Sequence, residues 1–291
     1  VMKARIECVL CQQQQALRVV RLATDDHALH ETVLRQVLHH LATIPWTDDP
    51  MTMSQGVYAL INRATGNPDP YNALKSRSNR EILALYPELQ HQIRTSDDPL
   101  LTACKFAVAG NIMDFGVHAA FNVQETIDHV LQTDFAINAY PRLKTDLESA
   151  SSVLLFADNA GELVFDKLLL ETMLAQTPLK HLTVVVKEFP IINDATMQDI
   201  QQIGFADLPH SEFQVVNPYT NGNGASAWIA SPEVNTWLRT HDVVIAKGQA
   251  NYEIMSNVAG VYFLLIAKCA IVAEDSGTSP GALIFHYTPE R

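Results

Sequence analysis

The sequence predicts an α/β fold with a mainly parallel sheet, preceded by an all-helical region. Three observations point that way. Short runs rich in Val, Leu, Ile and Phe at 153–156, 181–186, 213–216, 243–246 and 262–266 alternate with helix-length segments, the pattern of parallel strands buried on both faces. Before residue 98, apolar residues instead recur at helical spacing, as in Ile6, Val9, Leu10, Leu17 and Val20. Finally, the run 153–156 stops at Asp158 and Asn159, passes the small residues Ala160 and Gly161, and enters a helical segment at Glu162. That is strand, tight turn and helix, with oxygen ligands at the carboxyl end of the strand, where open α/β sheets bind their ligands.

Taken in order, the spacing predicts helices over 5–22, 30–41, 53–64, 72–86, 100–109 and 126–135. The third is stopped by Thr65-Gly66-Asn67-Pro68. The polar, proline-containing junction at 96–99 divides a helical N-terminal domain, 1–98, from a catalytic α/β domain, 99–291. Gly110 and Gly116 read as helix stops. The glutamine run at 12–15 reads as a solvated face of the first helix.

Composition narrows the function. A chain of 291 residues, 47% of them hydrophobic, can bury a large core in one or two domains. Its net charge of −12, with no Lys/Arg-rich run, argues against nucleic acid as a partner. The longest apolar run, 258–269, is broken by Gly260 and Lys268 and is too short to cross a bilayer. The four cysteines are too scattered for a disulfide framework, and the first residues carry no apolar leader, so a reducing cytoplasm is expected.

The chemistry gathers at strand ends. Asp158 and Asn159 follow one strand, Asn193 and Asp194 lie in the loop after the next, and Lys247-Gly248-Gln249-Ala250-Asn251 follows a third. Carboxylate and carboxamide oxygens suit a hard cation, Mg²⁺ or Mn²⁺ with Co²⁺ or Ni²⁺ as further candidates, while an ammonium and backbone N–H groups suit phosphate oxygens. Glu162 or Asp166 stands near enough in sequence to serve as base or support. Water is the expected nucleophile, because adjacent Asp-Asn lacks the second carboxylate of an Asp-x-Asp pair. Cys8 and Cys11, one helical turn apart, read as a redox pair, ligands of a second metal, or buried small hydrophobes.

Together, the segments DNAGE with its following FD, NDAT, GNIMDFG and KGQANYE, with the CxxC at Cys8–Cys11, resemble the DUF89 family over essentially the whole chain. These are the metal-dependent damage-control phosphatases, also called ARMT1-like proteins, and the CxxC resembles their archaeal and bacterial branch. The resemblance implies a three-layer α/β/α sandwich behind a helical N-terminal part, and hydrolysis of small phosphorylated metabolites such as damaged or overflow sugar phosphates. It also implies Asp158, Asn159 and Asp194 as metal ligands, Lys247 on the phosphate, and Asn111 and Asp114 beside the substrate; Glu162, Gly248 and Asn251 complete that expected surface. The chain departs from its branch at one point: Ala73 replaces the first lysine of a Lys-x-Lys-x-x-x-Asn pattern, leaving Lys75 and Asn79. Two alternatives compete. One is an S-adenosylmethionine-dependent carboxyl methyltransferase, for which Asn-Ala-Gly-Glu is a poor nucleotide loop; the other is a phosphometabolite sensor with a CxxC switch.

Overall fold

The computed structural model describes residues 2–46, 49–112, 123–218 and 227–289. A seven-stranded sheet lies between two helical layers. Its strands are β1 (Ile137–Asn138), β2 (Ser152–Phe156), β3 (His181–Lys187), β4 (Ser211–Val216), β5 (Val243–Lys247), β6 (Val261–Ile266) and β7 (Leu283–Tyr287). They lie in the order β1-β7-β6-β5-β2-β3-β4. Strands β2 to β6 are mutually parallel where they pair. β7 runs antiparallel to β6, and the two-residue β1 pairs with β7. These last two strands escape the sequence reading: one is too short to show a pattern, and the other lies after the last helix-strand alternation.

Strand residues alternate strictly between the two faces. Val153, Leu155, Val184, Ile245 and Leu264 enter one apolar core. Leu154, Phe156, Val185, Val244 and Phe263 enter the other. The first core is closed by α4 (Asn72–Leu83), α5 (Tyr86–Thr95), α6 (Pro99–Ile112), α7 (Val123–Gln132), α8 (Tyr140–Leu147), α9 (Glu162–Gln176) and α10 (Met197–Gln202). The second is closed by α1 (Ile6–Ala23), α2 (His27–Thr43), α3 (Pro50–Thr65), α11 (Pro232–Thr240), α12 (Gly248–Met255) and α13 (Ala270–Asp275).

The helical region before residue 98 is therefore divided between the two cores: α1–α3 join the second, and α4 and α5 the first. The single helix expected over 72–86 is two, because Pro87 in the first turn of α5 supplies no N–H to continue α4. Gly110 is not a helix stop. It sits inside α6, where an added Cβ would stand 2.8 Å from the Phe165 ring, so its bareness lets α6 lie close to α9. Gly116 and Asp114 lie outside the described residues.

β2 is the switch point of the sheet. The chain leaves it toward β3 and β4 on one side, then returns to place β5 on the other. The loops after β2 and β5 consequently part in opposite directions and open a crevice at the strands' carboxyl ends.

Candidate active site

Each wall of that crevice is set by local backbone demands. After β2, Ala157 and Asp158 continue beside the loop that follows β3: the Ala195 N–H donates to the Asp158 carbonyl at 2.8 Å, and the Ala160 N–H to the Asn193 carbonyl at 2.9 Å. Asn159 and Asp194 face each other across this stitch as an isolated antiparallel bridge. Two loops far apart in sequence thus hold their acidic residues as one unit. Ile192, two residues before Asp194, has a φ of 50°, a left-handed conformation rare for a β-branched residue and found mostly where function fixes the backbone.

Gly248 serves this geometry in a way the sequence does not foretell. Its φ is 78°, and a Cβ there would collide with the Asp158 carboxylate. Gly248 is therefore the space Asp158 occupies rather than a phosphate donor.

The Asp158 carboxylate is held from behind. Asn111 Nδ2 donates to its Oδ2 at 2.8 Å and Asn159 Nδ2 to the same oxygen at 2.7 Å. The two amides also reach Glu162 Oε2, at 3.2 and 3.1 Å. Because carboxylates only accept, they fix both amides with nitrogen inward. Beneath them Lys247, fully buried, donates to Glu162 at 2.5 Å, to Asp166 at 2.7 Å and to the Ala107 carbonyl at 2.9 Å.

Several expected roles are corrected here. An ammonium has three donors, and those of Lys247 are all engaged, so it stands under the site and not against a phosphate. Glu162 and Asp166 are its partners and are buried behind Asp158. Asn251 Nδ2 donates to the carbonyls of Lys247 and Ala157, at 2.7 and 3.1 Å, tying α12 to the end of β2 instead of facing a substrate. The Gly161 N–H is engaged as well, donating to Asn79 Oδ1 at 2.6 Å.

A cavity of about 270 Å³ opens in front of Asp158, Asn159 and Asp194. Its far wall comes from α1 and α3 and includes Cys8, Cys11, Gln12, Met51 and Ser54. Cys269 joins them from the turn after β6. All four cysteines are free, and burial pushes the Cys8 and Cys11 thiols up from their ordinary range. Sequence reasoning passed over Lys268, an exposed cation on the cavity rim directly after β6. It also passed over Lys187, the buried last residue of β3, whose Nζ lies 3.9 Å from Asp194 and 5.2 Å from the centre of the Trp228 ring. A lysine at or just past the end of a strand was the available signal for both.

Charge decides what fits. Around the cavity, buried carboxyl groups outnumber buried ammonium groups: Asp158, Glu162, Asp166, Asp194 and Glu253 against Lys75, Lys187 and Lys247. Burial, with Glu162 and Asp194 nearby, holds the Asp158 carboxyl well above the usual carboxylate range. Burial pushes Asp194 up to about 6 against the pull of Lys187 and Lys75. A divalent cation would remove this excess. Among the described residues no three His, Cys, Asp or Glu side chains could hold a metal by themselves; the oxygen-bearing side chains that the loops after β2 and β3 bring to the cavity are those of Asp158, Asn159, Asn193 and Asp194, hard donors of the kind divalent cations take.

Fold and site together define an α/β/α protein with an acidic, cation-fitting centre at the switch point of its sheet. The profile of the damage-control phosphatase ARMT1-like domain matches residues 4–284, and the chain belongs to that family. It is 31% identical to a damage-control phosphatase of Archaeoglobus fulgidus over 97% of this chain and 98% of that one. It is 28% identical to a damage-control phosphatase of Pyrococcus horikoshii over 97% of each. The crystal structure of a DUF89 family protein from P. horikoshii superposes with a TM-score of 0.85, at 27% identity and 99% coverage of both chains.

Proposed function

We propose that this chain is a divalent-metal-dependent phosphatase that hydrolyses small phosphorylated metabolites at Asp158, Asn159 and Asp194. The observation that carries the reading is the convergence of buried carboxylates, with surplus negative charge, on a cavity at the sheet's switch point. Asp158, Asp194 and the Asn159 carbonyl would hold the cation. When bound, that cation supplies Lewis-acid polarisation of a phosphate oxygen and makes a water ligand more acidic.

The chain's own residues do the rest. Asn111, Glu162 and Lys247 keep Asp158 oriented. Lys268, exposed on the rim, takes the phosphate-binding role first expected of Lys247. Lys187 holds Asp194 from behind with a charge that Trp228 shields from water. The free thiols suit a reducing cytoplasm, and among the described residues no helix is long and apolar enough to cross a membrane.

The test is hydrolysis of phenyl phosphate by metal-stripped protein, with and without added Mn²⁺, Mg²⁺, Co²⁺ or Ni²⁺. Turnover is expected only with metal, and Asp158→Ala should lower it by a factor on the order of a thousand, comparable to losing a principal electrostatic element of a catalytic site. Folded protein that binds a phosphorylated ligand but turns nothing over with any metal would instead make it a sensor.

A further inference from the structure

Helix α12 supplies a further wall of the cavity. Gln249, Ala250 and Glu253 line it, and their spacing of one and four puts them on one side of the helix. Gln249 is fixed from two directions: its Oε1 accepts from the Lys268 N–H at 3.0 Å, and its Nε2 donates to Glu253 Oε1 at 2.8 Å. A backbone N–H can only donate, so the amide nitrogen is the end turned to the carboxyl group. Glu253 Oε2 has no hydrogen-bond partner among the described residues, and Glu253 keeps 8% of its surface open on the cavity wall. Around it stand Glu7, Cys8 and Cys11 of α1, Asp49 at the start of α3, and Lys268 and Cys269 after β6. Beside those thiols Gln12 is buried, so the glutamine run is not simply a solvated face. Burial, with Asp49 nearby, outweighs the Gln249 hydrogen bond and pushes the Glu253 carboxyl up to about 7. That is the range in which a group both holds and releases a proton near neutral pH. Neither cation binding nor phosphate binding uses this group.

We propose that Glu253 is the general acid of the hydrolysis and gives its proton to the oxygen of the departing alcohol. This rests on the phosphatase reading. In a cavity of about 270 Å³, an ester whose phosphate lies at Asp158 and Asp194 has its alcohol portion against α1 and α12. Of the two carboxyl groups on those walls, Glu7 is exposed and Glu253 is buried. In the step, water adds at phosphorus and loses a proton. The phosphorus–oxygen bond to the alcohol breaks, its electron pair passes to the leaving oxygen, and that oxygen takes the Glu253 proton. Inorganic phosphate and a neutral alcohol result, and the proton lost by the water restores Glu253 through solvent. Gln249 is a positioning residue that holds one carboxyl oxygen and leaves the other for the substrate.

The experiment sets two alkyl esters, glycerol 3-phosphate and ribose 5-phosphate, against p-nitrophenyl phosphate. An alkoxide needs a proton to leave, whereas the nitrophenolate leaves without one. kcat/KM is measured for each in metal-loaded wild type and Glu253→Gln, since glutamine keeps the shape and lacks the acidic proton. General acids contribute roughly a hundredfold or more, so Glu253→Gln should lower turnover of the alkyl esters by about that factor and raise the aryl-to-alkyl ratio about tenfold or more. A smaller rise in folded variant, equal losses on both ester types included, overturns the assignment and leaves Glu253 a structural residue. Wild type that cleaves only the aryl ester overturns it too. Should Glu253→Gln not fold, the wild-type pH profiles decide. As pH rises through about 7, kcat/KM for the alkyl esters should fall further than that for the aryl ester; coincident profiles overturn the assignment. Wild type that cleaves no ester with any metal overturns the phosphatase reading and this assignment with it, a result distinct from turnover whose ratio Glu253→Gln leaves unmoved.

Discussion

Two lysines that close neighbouring parts of the same sheet illustrate how position outweighs residue type. Lys247 is fully buried between two carboxylates and a carbonyl. Removing it in Lys247→Met leaves Glu162 and Asp166 without a counter-charge, which should cost about 3–5 kcal/mol of stability, visible as a lowered urea midpoint. Lys268 is exposed on the cavity rim. Lys268→Ala should leave the midpoint where it is and raise KM for phosphate esters roughly ten- to hundredfold, the loss of one charge-assisted hydrogen bond. The opposite pairing of effects would return the phosphate role to Lys247. Glu253, on the cavity wall, offers a pH test. Burial pushes its carboxyl up to about 7, with Gln249 donating to it at 2.8 Å. Since folding favours the protonated form, its contribution is full below about pH 4.5 and is lost as pH rises through 7. Glu253→Gln should therefore gain about 1–3 kcal/mol over wild type at pH 8 and nothing at pH 4, measured by denaturant unfolding at both; an advantage independent of pH would refute the buried-acid account.

Among the elements, the glycine that starts α12 and the helix α4 do the positioning. Gly248 holds a left-handed φ and stands where a side chain would displace Asp158. Gly248→Ala is expected to destabilise the protein by about 1–3 kcal/mol and to remove metal-dependent turnover along with metal binding. Full turnover in that variant would mean that Asp158 need not sit against β5. Helix α4 places Lys75 and Asn79 one turn apart. Asn79 donates to Asp199 and Gln202, at 2.8 and 2.9 Å, and accepts from Gly161, so it joins α4, α10 and the start of α9. Lys75 pairs with Asp69 at 2.8 Å. Of the two residues of that lysine-containing pattern retained here, Asn79 braces the β2 turn, while Lys75 serves Asp69 and stands 3.9 Å from Asp199.

Across the whole molecule, the two apolar cores each draw on helices from before residue 98 and strands from after it. Stripping α1–α3 would remove their share of the core that also holds Leu154, Phe156, Val185 and Val244, and the cavity would lose the residues that α1 and α3 give it. Unfolding should accordingly be a single cooperative transition in calorimetry, with the calorimetric and van't Hoff enthalpies equal. Two resolved transitions would show that the helical part folds by itself.

The layer order, the parallel strands and the Asp158–Asn159 turn were legible because they depend on local rules: apolar periodicity, helix-breaking residues, and ligand oxygens at a strand's end. Asp158, Asn159 and Asp194 could be named together for the same reason, since each follows a strand whose direction the alternation reveals. Which charges face the cavity was not legible. Lys247 and Lys268 both follow strands, and only the approach of α9, which carries Glu162 and Asp166 under β5, sends one inward and leaves the other at the rim. Likewise Gln12 and Cys269 gain their place from segments more than two hundred residues apart meeting over one crevice. The amino-acid order determined the strands, the helices and the acidic loops, whereas the assignment of donors, counter-charges and walls was decided by tertiary packing, because charge pairing and burial depend on neighbours that no local pattern encodes.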